Sequence, residues 1–116
     1  MLIYKIFRPD EWDTLERLGE TLGAPVDLAD GFIHFSTAEQ MRETAERHFA
    51  NAGDLVLAAV ETSSLGRDLK WETSRGGALF PHLFRALAHD EVVWTAPLPR
   101  AGDGHDFPAL PDGETA

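Results

Sequence analysis

An α+β fold is predicted by the order of patterns in this 116-residue chain. It begins with a strand-like segment, has two helical stretches in its first half, and is mostly strand-like thereafter. No glycine-rich turn follows a predicted strand, which excludes both a Rossmann fingerprint and a P-loop. The length suits one domain with one core, and no internal repeat is present.

Leu2 to Phe7 (LIYKIF) is an apolar, β-prone run whose only charge is Lys5. Pro9 and Asp10 then open a helix in which Trp12, Leu15, Leu18 and Leu22 form an inward stripe. Gly23, Pro25, Asp27 and Asp30 mark a loop leading to GFIHFSTAEQ, residues 31–40. A second helix is predicted from Thr37 to about Ala50, with Ala38, Met41, Ala45 and Phe49 on its apolar face. Leu55 to Val60 (LVLAAV) is continuously apolar, as expected of a central strand covered on both faces. After a turn at 62–66, Asp68 to Thr73 alternates, placing Leu69 and Trp71 on one face and Lys70 and Glu72 on the other. Gly76 and Gly77 punctuate before ALFPHLF, and Glu91 to Leu98 supplies a last strand. The domain is expected to span residues 1–98, with 99–116 a flexible acidic tail containing Pro and Gly and having little to bury.

Composition narrows the function classes. The balance of 43% apolar and 26% charged residues is that of a soluble globular protein. No apolar run reaches the roughly 20 residues of a membrane helix, so a cytoplasmic protein without membrane contact is expected. The absence of cysteine excludes disulfides, thiolate catalysis and cysteine-ligated zinc. The formal charge of −10 disfavours the phosphate-backbone contacts of a nucleic-acid partner, and with them an RNA-directed phosphotransferase. Residues 67–85 go the other way, with four cations against two acids, and offer counter-charge to a small anionic ligand.

Three constellations carry candidate chemistry. In GFIHFSTAEQ, alternation puts Phe32, His34 and Ser36 on one face and Ile33 and Phe35 in the core. Ser36 with Glu39, or Thr37 with Gln40, also fits a capping box, so helix capping and chemistry both account for the hydroxyls. His34 is equally open between a hydrogen-bonded structural histidine and a functional one. In KWETSRGGALFPH, residues 70–82, Glu72 is either a surface partner of Lys70 or a site carboxylate. Pro81 and Phe80 would fix the backbone and anchor His82, aiming its imidazole. The five histidines include no i, i+4 pair, so no metal site is expected, and no G-x-S-x-G elbow supports a serine hydrolase.

The segments GFIHFST, LVLAAV, KWE and LFPHLF together resemble the mainly bacterial domain-of-unknown-function family 952. Its pattern runs from a Y-K/H-I strand through G-F-I-H-x-S-T-x-E-Q to F-P-H-[LI]-Y-G. The likeness covers about residues 3–98 and departs at Phe84 and Arg85, which stand where the pattern has tyrosine and glycine. The fold it implies is similar to that of ADP-ribosyltransferases, two antiparallel sheets around an NAD-binding cleft, here with two N-terminal helices. The resemblance implies Glu72, His34 and His82 as catalytic residues and Lys5, Ser36, Thr37, Arg75 and Phe80 as cofactor contacts. Glu72 would stabilise an oxocarbenium-like state, and Lys5, Arg67 or Arg75 would neutralise the diphosphate. It implies no tightly bound cofactor, NAD as a substrate, and ADP-ribosyl transfer or NAD hydrolysis as the activity. The alternative is a non-catalytic small-molecule or protein-binding module on the same fold.

Overall fold

The structure is a computed structural model that describes residues 1–110 and, at Arg75, the backbone alone. Its strands form two three-stranded antiparallel sheets and two short pairs, accompanied by three α-helices. The first sheet has β4 (Leu55–Glu61) between β1 (Leu2–Phe7) and β8 (Val92–Leu98). The second has β6 (Leu79–Leu83) between β3 (Ile33–His34) and β5 (Leu69–Thr73). The predicted α+β class and antiparallel sheets are thus present.

The unbroken apolar run of β4 has the predicted cause, because both of its faces are covered. Ala58 and Val60 pack with Ile3, Phe7, Leu15, Ile33, Phe35 and Leu83 in the core between the two sheets. Leu55, Leu57 and Ala59 face the other way, onto Tyr4, Ile6, Met41, Ala45 and Leu98.

The helices differ from expectation in number and extent. The first, α1 (Pro9–Leu18), starts with Pro9, which needs no amide partner, and the Glu11 carboxylate accepts the Arg8 N–H at 2.9 Å. It stops at Gly19, whose φ of 83° is the left-handed cap that favours glycine. The stop leaves Leu15 buried and Leu18 and Leu22 exposed, so the predicted four-residue stripe is cut to its first half. The predicted loop before GFIH contains a further helix, α2 (Pro25–Asp30). Asp27 at its third position accepts the Ala24 N–H at 2.7 Å, and Gly31 closes the helix at φ 83°. The last, α3 (Met41–His48), begins later than predicted, because residues 37–40 are taken up by the capping turn.

The chain beyond residue 98 also does more than expected. Strands β9 (Arg100–Ala101) and β10 (Gly104–His105) pair as a hairpin, and Phe107 and Leu110 pack onto the core beneath α3. Arg100 donates to the carbonyls of Ala50, Ala52 and Gly102, and His105 Nε2 lies 2.8 Å from the Gly53 carbonyl. Residues 111–116, the remainder of the predicted tail, lie outside the described residues.

The two sheets meet through β1. Ser36 exchanges two backbone hydrogen bonds with Tyr4, at 2.8 and 2.9 Å, immediately after Phe35 donates to the Pro81 carbonyl at 3.0 Å. The partner bond of that Phe35–Pro81 pair would need an N–H that proline lacks, so pairing between β3 and β6 ends there. Between Phe35 and Ser36 the chain passes from the second sheet to the first. Short strands β2 (Glu20–Thr21) and β7 (Leu87–Ala88) pair at the periphery.

Candidate functional site

A cleft of about 740 Å³ opens where the sheets part, bounded by β1, α2, α3 and the end of β6. Its apolar surface includes Ile6, Met41, Phe49 and Phe80, and its polar groups include Lys5, Ser36, His34 and His82. Such a volume and mixture of surfaces suit a small-molecule site.

His34 and His82 are direct cross-strand partners on β3 and β6, and their rings meet edge to face with centroids 5.3 Å apart. Phe32 stacks on His82 at 4.2 Å and leans on His34 at 4.6 Å, fixing both planes. Alternation therefore does what the sequence predicts, with Ile33 and Phe35 in the core and the histidines on the opposite face. Each imidazole is set by a carboxylate at Nδ1. Glu72, one strand over on β5, accepts from His82 at 2.8 Å. Asp27 accepts from His34 at 2.6 Å, and Asp30 lies 2.9 Å from the other ring nitrogen of His34.

Asp27 is the residue that sequence reasoning missed. It is buried and accepts donors on both oxygens: the His34 ring and backbone N–H on one, Lys5 Nζ at 2.8 Å and the Ala24 N–H on the other. Burial pushes its carboxyl up. The hydrogen bond from His34, the Lys5 charge, the Lys5 hydrogen bond and the His34 backbone bond more than offset that and lower it to about 2. Gly23 makes room for this carboxylate. Its φ is 99°, and a Cβ there would lie 2.6 Å from Asp27 Cβ and 2.7 Å from Cγ. A signal for Asp27 was present in LIYKIF, since a lysine inside an apolar strand needs a buried counter-charge.

The remaining predicted residues divide. Lys5, Ser36 and Phe80 line the cleft with His34 and His82, whereas Glu72 is absent from its lining and reaches it through His82. Ser36 is buried and shares a 2.8 Å hydrogen bond with Thr44, so it does not serve as the capping residue. Thr37 takes that role: its N–H donates to Gln40 Oε1 at 3.0 Å and its Oγ1 accepts the Gln40 N–H at 3.3 Å. Arg75 belongs by its backbone to the turn after Ser74, and its side chain lies outside the described residues.

The basic segment does not face the cleft. Of its cations with described side chains, Arg67, Lys70 and Arg85, none lines it, and Arg85 instead forks onto Glu91 at 2.9 and 2.7 Å and reaches Asp68 at 3.1 Å. The Glu91 bond, against partial burial, raises the Arg85 guanidinium above its ordinary value. The Arg85 bond in turn, against burial and with help from the Ala88 N–H, lowers the Glu91 carboxyl. The two positions that depart from the family pattern thus serve packing, Arg85 in this ion pair and Phe84 against Phe32 at 5.1 Å. No group of three or more His, Asp or Glu among the described residues is placed to hold a metal ion, and no described helix is long and apolar enough to cross a membrane.

Fold and cleft together define an α+β protein with two carboxylate-set histidines at the junction of antiparallel sheets. The chain belongs to the family described as protein of unknown function (DUF952), whose model matches residues 6–95. It is similar to protein CC0527 from Caulobacter crescentus. The X-ray crystal structure of that protein is 51% identical, with 100% of each chain covered and a TM-score of 0.88. Its solution NMR structure is 54% identical over 90% of each chain, with a TM-score of 0.79. No curated protein matches the chain.

Proposed function

We propose that the cleft binds NAD or a related nucleotide, seating a base and its ribose between the apolar surface and the histidines, on a fold similar to that of ADP-ribosyltransferases. The observation that carries this reading is the convergence of His34, Ser36 and His82 on one cleft, with Glu72 hydrogen-bonded to His82 Nδ1. The associated chemistry is ADP-ribosyl transfer or NAD hydrolysis. The bond from ribose C1′ to the nicotinamide nitrogen breaks, its electron pair leaves with neutral nicotinamide, and C1′ takes the oxygen of water or an acceptor. His82 is positioned to take the proton released by that oxygen, while Glu72 holds the ring's tautomer and stabilises the imidazolium.

Binding without catalysis is the second reading. It is favoured by the place of Glu72, which is 43% exposed and absent from the cleft lining, so no carboxylate from β5 faces the sugar directly. One experiment separates the two. Millimolar NAD is expected to raise the melting temperature by a few degrees, since ligand at about tenfold over Kd adds roughly 1.4 kcal/mol. Thermal stabilisation with no nicotinamide release would eliminate the catalytic reading, release that survives Glu72→Gln and His82→Gln unchanged would eliminate the roles given to those residues, and the absence of any thermal shift would eliminate both readings.

A further inference from the structure

Resting on the reading of the cleft as a nucleotide-type site, we infer that it selects a phosphate-free nucleoside, neutral or carrying a pyridinium charge, and leaves any phosphate outside. The electrostatics of the lining carry this. Lys5 is the buried cation of the lining, and its ammonium lies 2.8 Å from the Asp27 carboxylate with side-chain exposures of 8% and 0%. Moving Lys5 toward a phosphate would strip a buried carboxylate of its counter-charge, which a protein interior does not tolerate. Arg8 is the other lysine or arginine among the described lining residues. It sits over the Phe49 ring at 4.9 Å and is flanked by Glu11 at 3.9 Å. Against these two cations the lining sets Asp10, Glu11 and Asp30, and Asp27 stands directly behind. Counted with Asp27, four carboxylates stand against the two lysine and arginine cations, opposite in sign to what a diphosphate requires.

The other surfaces fit a sugar-bearing ring. Ile6, Met41, Phe49 and Phe80 give a flat heterocycle an apolar bed. The Ser36–Thr44 hydroxyl pair and the second ring nitrogen of His82 offer hydrogen bonds to ribose hydroxyls without demanding charge. For NAD, these features place the nicotinamide riboside half in the cleft and the diphosphate at its mouth, where Asp10 and Asp30 repel it.

Calorimetric titration of the full chain with adenosine, nicotinamide riboside, nicotinamide mononucleotide, ADP-ribose and NAD tests this at low and high salt. Nicotinamide riboside is expected to bind at least as tightly as NAD. Each added phosphate charge should weaken binding about two- to threefold at low salt, the scale of one unit charge repelled across about 8 Å of water, and the spread should shrink as salt rises. Asp30→Lys is expected to reverse the order. Affinity that rises with phosphate count in the unaltered protein, or NAD binding while neither nucleoside does, overturns this inference and leaves the nucleotide reading standing. Failure of all five to bind overturns both.

Discussion

The Asp27 carboxylate offers the sharpest quantitative test of the site, through the dependence of stability on pH. In the folded protein its pKa lies near 2, against an ordinary value of 3.8. A difference of 1.8, at about 1.4 kcal/mol for each tenfold, corresponds to about 2 kcal/mol of stability. Because the folded value is the lower one, the contribution is complete above pH 3.8 and is lost as pH falls toward 2. Asp27→Asn keeps the shape of the side chain and removes the titration. It also leaves Lys5 buried without a counter-ion, a loss of about 3–5 kcal/mol at neutral pH. Urea unfolding followed by tryptophan fluorescence, run in steps from pH 7 to pH 2 on both proteins, gives the difference directly. The gap between them should be widest at neutral pH and narrow by about 2 kcal/mol between pH 4 and pH 2. Curves that fall in parallel through that window would refute the claim that Asp27 is ionised by its partners in the folded state.

Other expectations follow from the same geometry. Gly23→Ala should destabilise by more than about 1 kcal/mol, because the new Cβ meets Asp27 and the positive φ disfavours a side chain; histidine NMR should show the His34 resonances shifting while those of His105 stay in place. Arg85→Ala should cost about 1–3 kcal/mol through the forked bond to Glu91, measured by chemical unfolding, and should leave ligand binding unaltered because Arg85 is absent from the cleft. Thr37→Ala should cost about 1 kcal/mol by removing a cap ahead of α3, whereas Glu39→Ala should cost almost nothing, since Thr37 and Gln40 make the reciprocal bonds.

What the sequence made legible was periodic. The unbroken run LVLAAV identified β4, alternation in GFIHF sorted core from site, and alternation in KWE placed Glu72 on the face where it meets His82. What it concealed depended on residues with two meanings. Pro25, Asp27 and Gly31 are turn formers by type, yet in α2 they serve as first residue, third-position acid and left-handed cap of a six-residue helix too short to show an apolar period. Arg67 to Arg85 looked like counter-charge for a ligand because a linear sequence does not show that Arg85 is already engaged by Asp68 and Glu91. The resemblance makes Lys5 a diphosphate contact, because the partner that occupies it lies 22 positions away in a segment expected to be loop.

Pro81 has a consequence out of proportion to its chemistry. A donor at that position could draw Phe35 into a longer ladder with β6, and the next residue would then be less free to turn its backbone toward Tyr4. By lacking a hydrogen, the proline marks the place where the two sheets part company. The opening beside the paired histidines is thus laid down in the backbone itself, before any side chain lines it.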